Sequence, residues 1–434
     1  MIRILESDSQ EAKDFLEKLR NRGLLQDDTV LRTVNRILED VRNNGDKAVV
    51  KYTRKFDAPR IAIKELRVTD RELNKAYSQV DSDFLDAINY ARTNIEQFHQ
   101  KQLRNSWITA EDDGVLLGHL IRPLERVGVC VPAASQLLVS SLIMNVVPPK
   151  VAGVKEIAAF IAPGPNRKID PHMLVTAGEC DIHEIYKCGG AQAVGAMAFG
   201  TDSIRKVDKI VGPGNLYVQL AKKAVYGTVD LDKLAGPSEV LVIADDSADP
   251  TYVAADLISQ AEHSEDCSAI LVTTSRGFAE QVRSEIELQA TNVARQTEVV
   301  GAFGNYGVAF VVDDLDEAVA LANEIAPEHV ELEVEEPFEW IGAIRNAGAI
   351  MVGPYTPESV GDYIAGPNHI LPTGGAARYA SPLSVDDFLK KTSVISYTRA
   401  ALKKVTPSVV KLAQIEGLDG HAAAMEVRFE DDRD

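Results

Sequence analysis

KEIAAFIAPGPNRKIDPHMLVTAGECDIHEIYKCGGAQAVGAMAFG (residues 155–200) decides the fold. KEIAAFIAP and HEIYKCGG are short β-rich runs that each end in turn residues, and PHMLVTAGEC and AQAVGAMAFG suit helices. A strand, a helix, a strand and a helix in that order are the signature of a parallel α/β sheet. The pattern continues on both sides. GVLLGHLIRPL and RVGVCVP precede it, while DKIVGPGN, LYVQLAKKAVYG and EVLVIADD follow. Strand-like runs recur at 269–275, 307–312, 330–334 and 348–352. Residues 1–104 read mainly as helix, including a long one that Asp70 can cap, and the last fifty residues turn helical again. The expected fold class is therefore α/β, with two parallel-sheet units and helical extensions at both ends.

The chain has 434 residues, 45% of them hydrophobic and 26% charged, the composition of a soluble globular protein. Domains of ~100–200 residues make two to four units the expectation. A net charge of −19 with no compensating basic cluster argues against nucleic acid or an acidic membrane surface as partner. An anionic small molecule stays open, because loop amides and helix N-termini bind phosphate without net positive charge. The charged N-terminal stretch does not read as a signal peptide, and no apolar run is long enough to span a bilayer. Cys130, Cys180, Cys188 and Cys267 form no C-x-x-C pair, so free thiols in a reducing, cytoplasmic compartment are expected.

Two strand–turn–helix junctions are Gly-rich, KCGGAQAVGAMAFG (187–200) and KIVGPGNLYVQLAKK (209–223). Small residues there let a backbone approach a pyrophosphate, yet neither is a G-x-G-x-x-G fingerprint. Tight turns in a sheet remain an equal reading.

Of eight histidines, His99, His119, His172 and His183 read as structural or surface residues. LISQAEHSED (257–266) is different. With Asp249 as cap and Pro250 first, a helix would run to about 263 and bury Val253, Ala254, Leu257, Ile258 and Ala261. Gln260 and His263 then lie ~60° apart on one edge of that stripe and could reach a common point. Such a pair is more often structural than ligating. In LANEIAPEHVELEV, Glu328 and His329 stand where a helix gives way to a strand, exposed together, and His is the commonest general base near neutral pH. The Gly/Pro-rich segment 353–375 carries Glu358, Asp362 and His369, and EGLDGHAAAM offers Glu416 and His421 beside a helix start capped by Asp419. Two His, one Asp and one Gln would suit zinc, but composition alone could not assemble them.

SSLIMNVVPPKVAGVKEI (140–157), KCGGAQAVGAMAFGT (187–201), VDKIVGPGNLYV (207–218), AGPSEVLVIAD (235–245) and DLISQAEH (256–263) make the chain resemble the histidinol dehydrogenase family. APEHVELE (326–333), the 358–390 segment and EGLDGHAAAMEVR (416–428) extend the likeness over nearly the whole length. The resemblance implies a zinc-dependent oxidation of L-histidinol to L-histidine in two steps with two NAD+. Zinc would be held by Gln260, His263, Asp362 and His421, the last from the partner subunit of a homodimer. Glu328 and His329 would be catalytic. Ser238, Gln260, His263, His329, Glu358, Asp362, His369, Glu416 and His421 would bind substrate, and Cys130, Gln192 and Asn215 would contact NAD. The implied architecture is two incomplete Rossmann-like domains: 26–128 plus 237–380, and 129–236. A helical extension would cover 1–25 and a helical dimerisation segment 381–434. One stretch departs from the family pattern of an aromatic followed by V-P-G-G, reading Cys130-Val131-Pro132-Ala133-Ala134-Ser135-Gln136 instead. The alternative is a relative that oxidises another alcohol, such as a sulfonated diol. It should carry a cationic anion-binder where Ser238 and Glu416 stand.

Overall fold

Strands rich in β-branched residues and buried on both faces set the architecture. The computed structural model describes residues 2–22, 27–131 and 137–429, and the Ala133–Ala134 turn lies outside them. Its strands are β1 (Arg3–Glu6), β2 (Trp107–Ala110), β3 (Leu116–Pro123), β4 (Arg126–Val131), β5 (Glu156–Ile161), β6 (Glu184–Tyr186) and β7 (Lys209–Val211). Then follow β8 (Asp230–Leu231), β9 (Glu239–Ala244), β10 (Ser268–Thr273), β11 (Gly307–Val311), β12 (His329–Glu333), β13 (Ala349–Val352) and β14 (Leu389–Ser396).

A six-stranded sheet, ordered β1-β11-β10-β9-β12-β13, is parallel throughout. A second parallel sheet runs β6-β5-β4-β7-β8. Every residue of β9 and β10 is buried, as helices on both faces of a parallel sheet require. These two sheets and their helices belong to one compact unit, residues 1–102 and 124–388. The other unit, 103–123 and 389–434, is an antiparallel sheet ordered β14-β3-β2 with helices Arg399–Ile415 and Asp419–Glu426. No helix among the described residues is long and apolar enough to cross a membrane.

Several expectations shift. The N-terminal segment is not purely helical, because Arg3–Glu6 adds an edge strand beside β11. The helices Asp28–Asn44 and Asp46–Phe56 do not group with residues 237–380. Val34, Ile37, Leu38, Val41 and Val49 join the core of the five-stranded sheet with Val194, Met197 and Ile210. The long helix expected from Asp70 is two. Thr69 and Glu72 form a reciprocal capping box for the first, which ends at Ala76, and Asp81 caps Ser82–Gln100. Residues 381–434 are not helical throughout, since β14 pairs along all eight residues with β3. Asp419 is the first residue of its helix and Leu418 holds the cap position.

Both sheets change direction between neighbours. The chain leaves β4 toward β5 on one side and returns as β7 on the other, so the carboxyl ends of β4 and β7 flank a switch point, where open α/β sheets place ligands. Gly212 follows β7 there with φ +107°, and a Cβ on it would fall 2.1 Å from the Cys130 carbonyl oxygen. Only glycine fits.

Candidate active site

The helix Pro250–Ala261 starts as expected, with the Asp249 carboxylate accepting from the Thr251 N–H at 2.8 Å and Pro250 at the first position. It stops two residues earlier than expected. His263 lies in the closing turn, its N–H donating to the Gln260 carbonyl at 3.2 Å. Gln260 is fully buried. The amide orientation that matches donors to acceptors has its Nε2 donating to the Glu239 main-chain oxygen at 3.2 Å and to Glu358 Oε1 at 3.1 Å. Its Oε1 is the atom left to meet a cation.

Glu328 and His329 stand at the amino end of β12, beside Glu239 at the amino end of β9. This is the opposite edge from the usual carboxyl-end crevice of a parallel sheet. The expected exposure of the pair is wrong: both are buried, because β12 is flanked by β9 and β13. His329 Nδ1 lies 3.0 Å from the Glu239 carbonyl oxygen. That oxygen only accepts, so Nδ1 carries the proton and Nε2 the lone pair. Nε2 is buried with no hydrogen-bond partner. Burial lowers the His329 pKa and favours the neutral ring, with Asp362 opposing. The Glu328 carboxylate accepts from the Glu239 N–H at 3.0 Å. Its pKa is raised well above the carboxylate range by burial, then by Glu239 and Asp362.

The 353–375 segment brings in the remaining groups. A short helix, Glu358–Tyr363, carries Glu358 and Asp362 one turn apart. His263, Glu358 and Asp362 offer ligand atoms that lie within 4.8 Å of one another. His369 Nδ1 takes part in a 2.8 Å bond with the Asp362 main-chain oxygen, and Nε2 is 3.3 Å from Ser141 Oγ. Glu358 is held above the carboxylate range by burial first and by Asp362 second. Buried acids with imidazoles beside them form a site that a divalent cation would stabilise, and imidazole with carboxylate oxygen is a donor set that zinc accepts.

The structure thus gathers Gln260, His263, Glu328, His329, Glu358, Asp362 and His369 in one unit. Ser238 directly precedes Glu239. Glu416 and His421 lie in the other unit. Among the NAD candidates, the Cys130 side chain sits in the apolar core, its thiol pushed up to about 12 by burial. Gln192 is buried in the first turn of Gly190–Phe199, and Asn215 caps Leu216–Val225, its Oδ1 accepting from the Val218 N–H at 3.2 Å. The sequence reading missed Glu239 and Arg22. A charge opening an otherwise apolar strand was the available signal for Glu239. Arg22 looks like any basic residue in a last helical turn.

Two parallel sheets, one of them carrying a buried imidazole among buried carboxylates at the amino ends of β9 and β12, are the frame of an α/β enzyme. The histidinol dehydrogenase family model matches residues 20–429. Histidinol dehydrogenase of Heliobacterium mobile is 50% identical over 430 residues, covering 99% of this chain and 100% of that one. The Clostridium acetobutylicum enzyme of the same name is 46% identical, with 99% of each chain covered. A crystal structure of histidinol dehydrogenase from Elizabethkingia anophelis superposes with a TM-score of 0.93 at 37% identity, covering 100% of this chain and 99% of that one. The chain belongs to the histidinol dehydrogenase family.

Proposed function

We propose that the protein oxidises L-histidinol to L-histidine through the aldehyde, consuming two NAD+. The observation that carries the reading is the His329 imidazole. Its tautomer is fixed by Glu239, and its free Nε2 lies beside the His263–Glu358–Asp362 cluster.

In the first oxidation the alcohol proton goes to His329 Nε2 as the C–H hydride leaves to NAD+, giving the aldehyde and NADH. Water then adds to the aldehyde: the Glu328 carboxylate takes the water proton, and the His329 imidazolium returns its proton to the carbonyl oxygen, giving the hydrate. His329, neutral again, takes a hydroxyl proton of the hydrate as a second hydride leaves to a second NAD+, and the acid so formed loses its remaining proton to solvent, giving the carboxylate. His369, Glu358 and Ser238 would orient the substrate, with Glu416 and His421 supplied by a second copy of the chain. Gln260, His263, Asp362 and that His421 would hold one zinc ion. When bound, it supplies a positive template for the substrate's nitrogen ligands and offsets the buried carboxylates. The Gly212–Asn215 turn at the β4/β7 switch point, with Gln192, would take the dinucleotide. The homodimer belongs to the same proposal.

The test is turnover of zinc-loaded protein with L-histidinol. About two NADH per histidinol consumed is the expected ratio; activity on a sulfonated diol with none on histidinol would overturn the reading.

A further inference from the structure

The wiring behind the catalytic pair converges on one residue. Glu239 uses four of its atoms on the site. Its N–H donates to Glu328 Oε2 at 3.0 Å, and its carbonyl accepts from His329 Nδ1 at 3.0 Å and from the Gln260 amide at 3.2 Å. Its Oε2 accepts from the Glu328 N–H and the Gly374 N–H, both at 3.2 Å. Its Oε1 faces the Arg22 guanidinium at 2.5 Å. The Arg22 side chain is only 2% exposed, and it also donates to the carbonyls of Asp266 at 3.0 Å and Pro237 at 3.2 Å. Arg22 ends the N-terminal helix Gln10–Arg22 and sits outside every segment that touches the reacting groups.

Removing one partner of a buried ion pair leaves the other uncompensated and is strongly destabilising. Without the guanidinium, Glu239 Oε1 would lose the partner that fixes the orientation of its carboxylate, and the side chain would turn away. The Glu328 N–H would lose its acceptor, and with it the anchor of the strand end that presents His329. We propose that Arg22 and Glu239 are positioning residues for the dehydrogenase reaction, the guanidinium holding Glu239 so that Glu239 holds Glu328 and the His329 tautomer. The proposal rests on the roles given to those two residues above. A cavity of about 310 Å³ reaches Glu239 past Leu16, Leu19, Arg20, Glu324 and Arg378.

The experiment uses zinc-loaded, full-length Arg22→Met, Arg22→Lys, Glu239→Gln and His329→Asn proteins. Arg22→Met is expected to lower kcat about 10- to 100-fold, the cost of a misplaced reacting group, with KM for histidinol and NAD+ within about twofold of wild type and zinc content unchanged. Millimolar guanidinium chloride should restore a saturable part of that loss, and Arg22→Lys should fall between. Glu239→Gln keeps the volume but must face a donor with a donor. It should show the same kcat-selective loss without guanidinium rescue, and it decides the matter if Arg22→Met fails to fold. With His329→Asn inactive, a kcat within twofold of wild type in Arg22→Met or in Glu239→Gln would overturn the inference alone. So would parallel losses of kcat, KM and zinc with no rescue. A His329→Asn protein that still turns over would instead overturn the reading beneath it.

Discussion

His329 Nε2 and Asp362 Oδ1 stand 3.8 Å apart, too far for a hydrogen bond and near enough to share a substrate. In the proposed reaction the two groups carry separable tasks, the imidazole taking a proton and the carboxylate helping to hold the cation. His329→Asn removes the lone pair and keeps a group able to donate toward Glu239. We expect kcat to fall about 10²- to 10⁴-fold while zinc, measured by atomic absorption, stays at one per active site. Zinc loss in a folded variant would contradict the division of labour.

In the proposed reaction Glu328 acts after His329. Glu328→Gln preserves the acceptor that the Glu239 N–H needs but cannot take a proton from water. The second oxidation should slow more than the first, so the NADH-to-histidinol ratio in the early phase should drop from two toward one, with aldehyde trapped by semicarbazide. A ratio held at two, with the overall rate near wild type, would remove Glu328 from the water step.

Removal of the cation should expose the charge that it offsets. Asp362→Asn takes one member from the His263–Glu358–Asp362 cluster, and a dialysed chelator empties it. Both should abolish turnover. Added zinc should restore the chelated wild type and fail to restore Asp362→Asn at the same free concentration. Restoration of the variant at wild-type zinc affinity would show that Asp362 is not a ligand.

Glu416 and His421, proposed for the site, lie in a different unit from the other candidate residues. If they reach the site from a second copy, two dead proteins can make a live one. Co-refolded His421→Ala and His329→Asn chains should recover up to about a quarter of wild-type turnover per site, since one site in each mixed pair carries neither lesion and half of the random pairs are mixed. Verified mixed dimers without activity would place both groups in the same chain's site.

The legible parts of this protein were those where one periodicity carries one message. The 155–200 alternation gave parallel strands and helices, and helical geometry put Gln260 on the buried edge of Pro250–Ala261. His263 was the near miss: the helix ends before it, so its reach comes from a turn. Asp362 could be joined to them only through the family resemblance, because helix geometry says nothing about a segment a hundred residues away. Glu328 and His329 were expected in the open, since a junction sequence does not reveal that neighbouring strands close over it. The same blindness hid the β12 glutamates. The alternation in Val-Glu-Leu-Glu-Val marks a strand but not whether its second face is covered, and here Glu331 and Glu333 are buried with Asp256 nearby.

That covered face has a consequence for stability. Burial pushes the Glu333 carboxyl up to about 7, with Asp256 and Asp249 adding to the rise, and its Oε2 has no hydrogen-bond partner. A raised acid pKa means that the folded chain binds a proton more tightly than the unfolded chain. Its contribution is therefore fullest below the unfolded value of 4.5 and is lost as pH climbs through about 7. Asp256, up to about 6, and Glu331, well above the carboxylate range, pull in the same direction and stay behind in a Glu333 variant. Glu333→Gln should leave the melting temperature at pH 4.5 nearly unchanged. At pH 8 it should raise it by about 1–3 °C, flattening the pH slope without abolishing it. Thermal melts of zinc-loaded protein across that range measure the difference, and a variant equally shifted at both pH values would show that Glu333 acts through shape rather than charge.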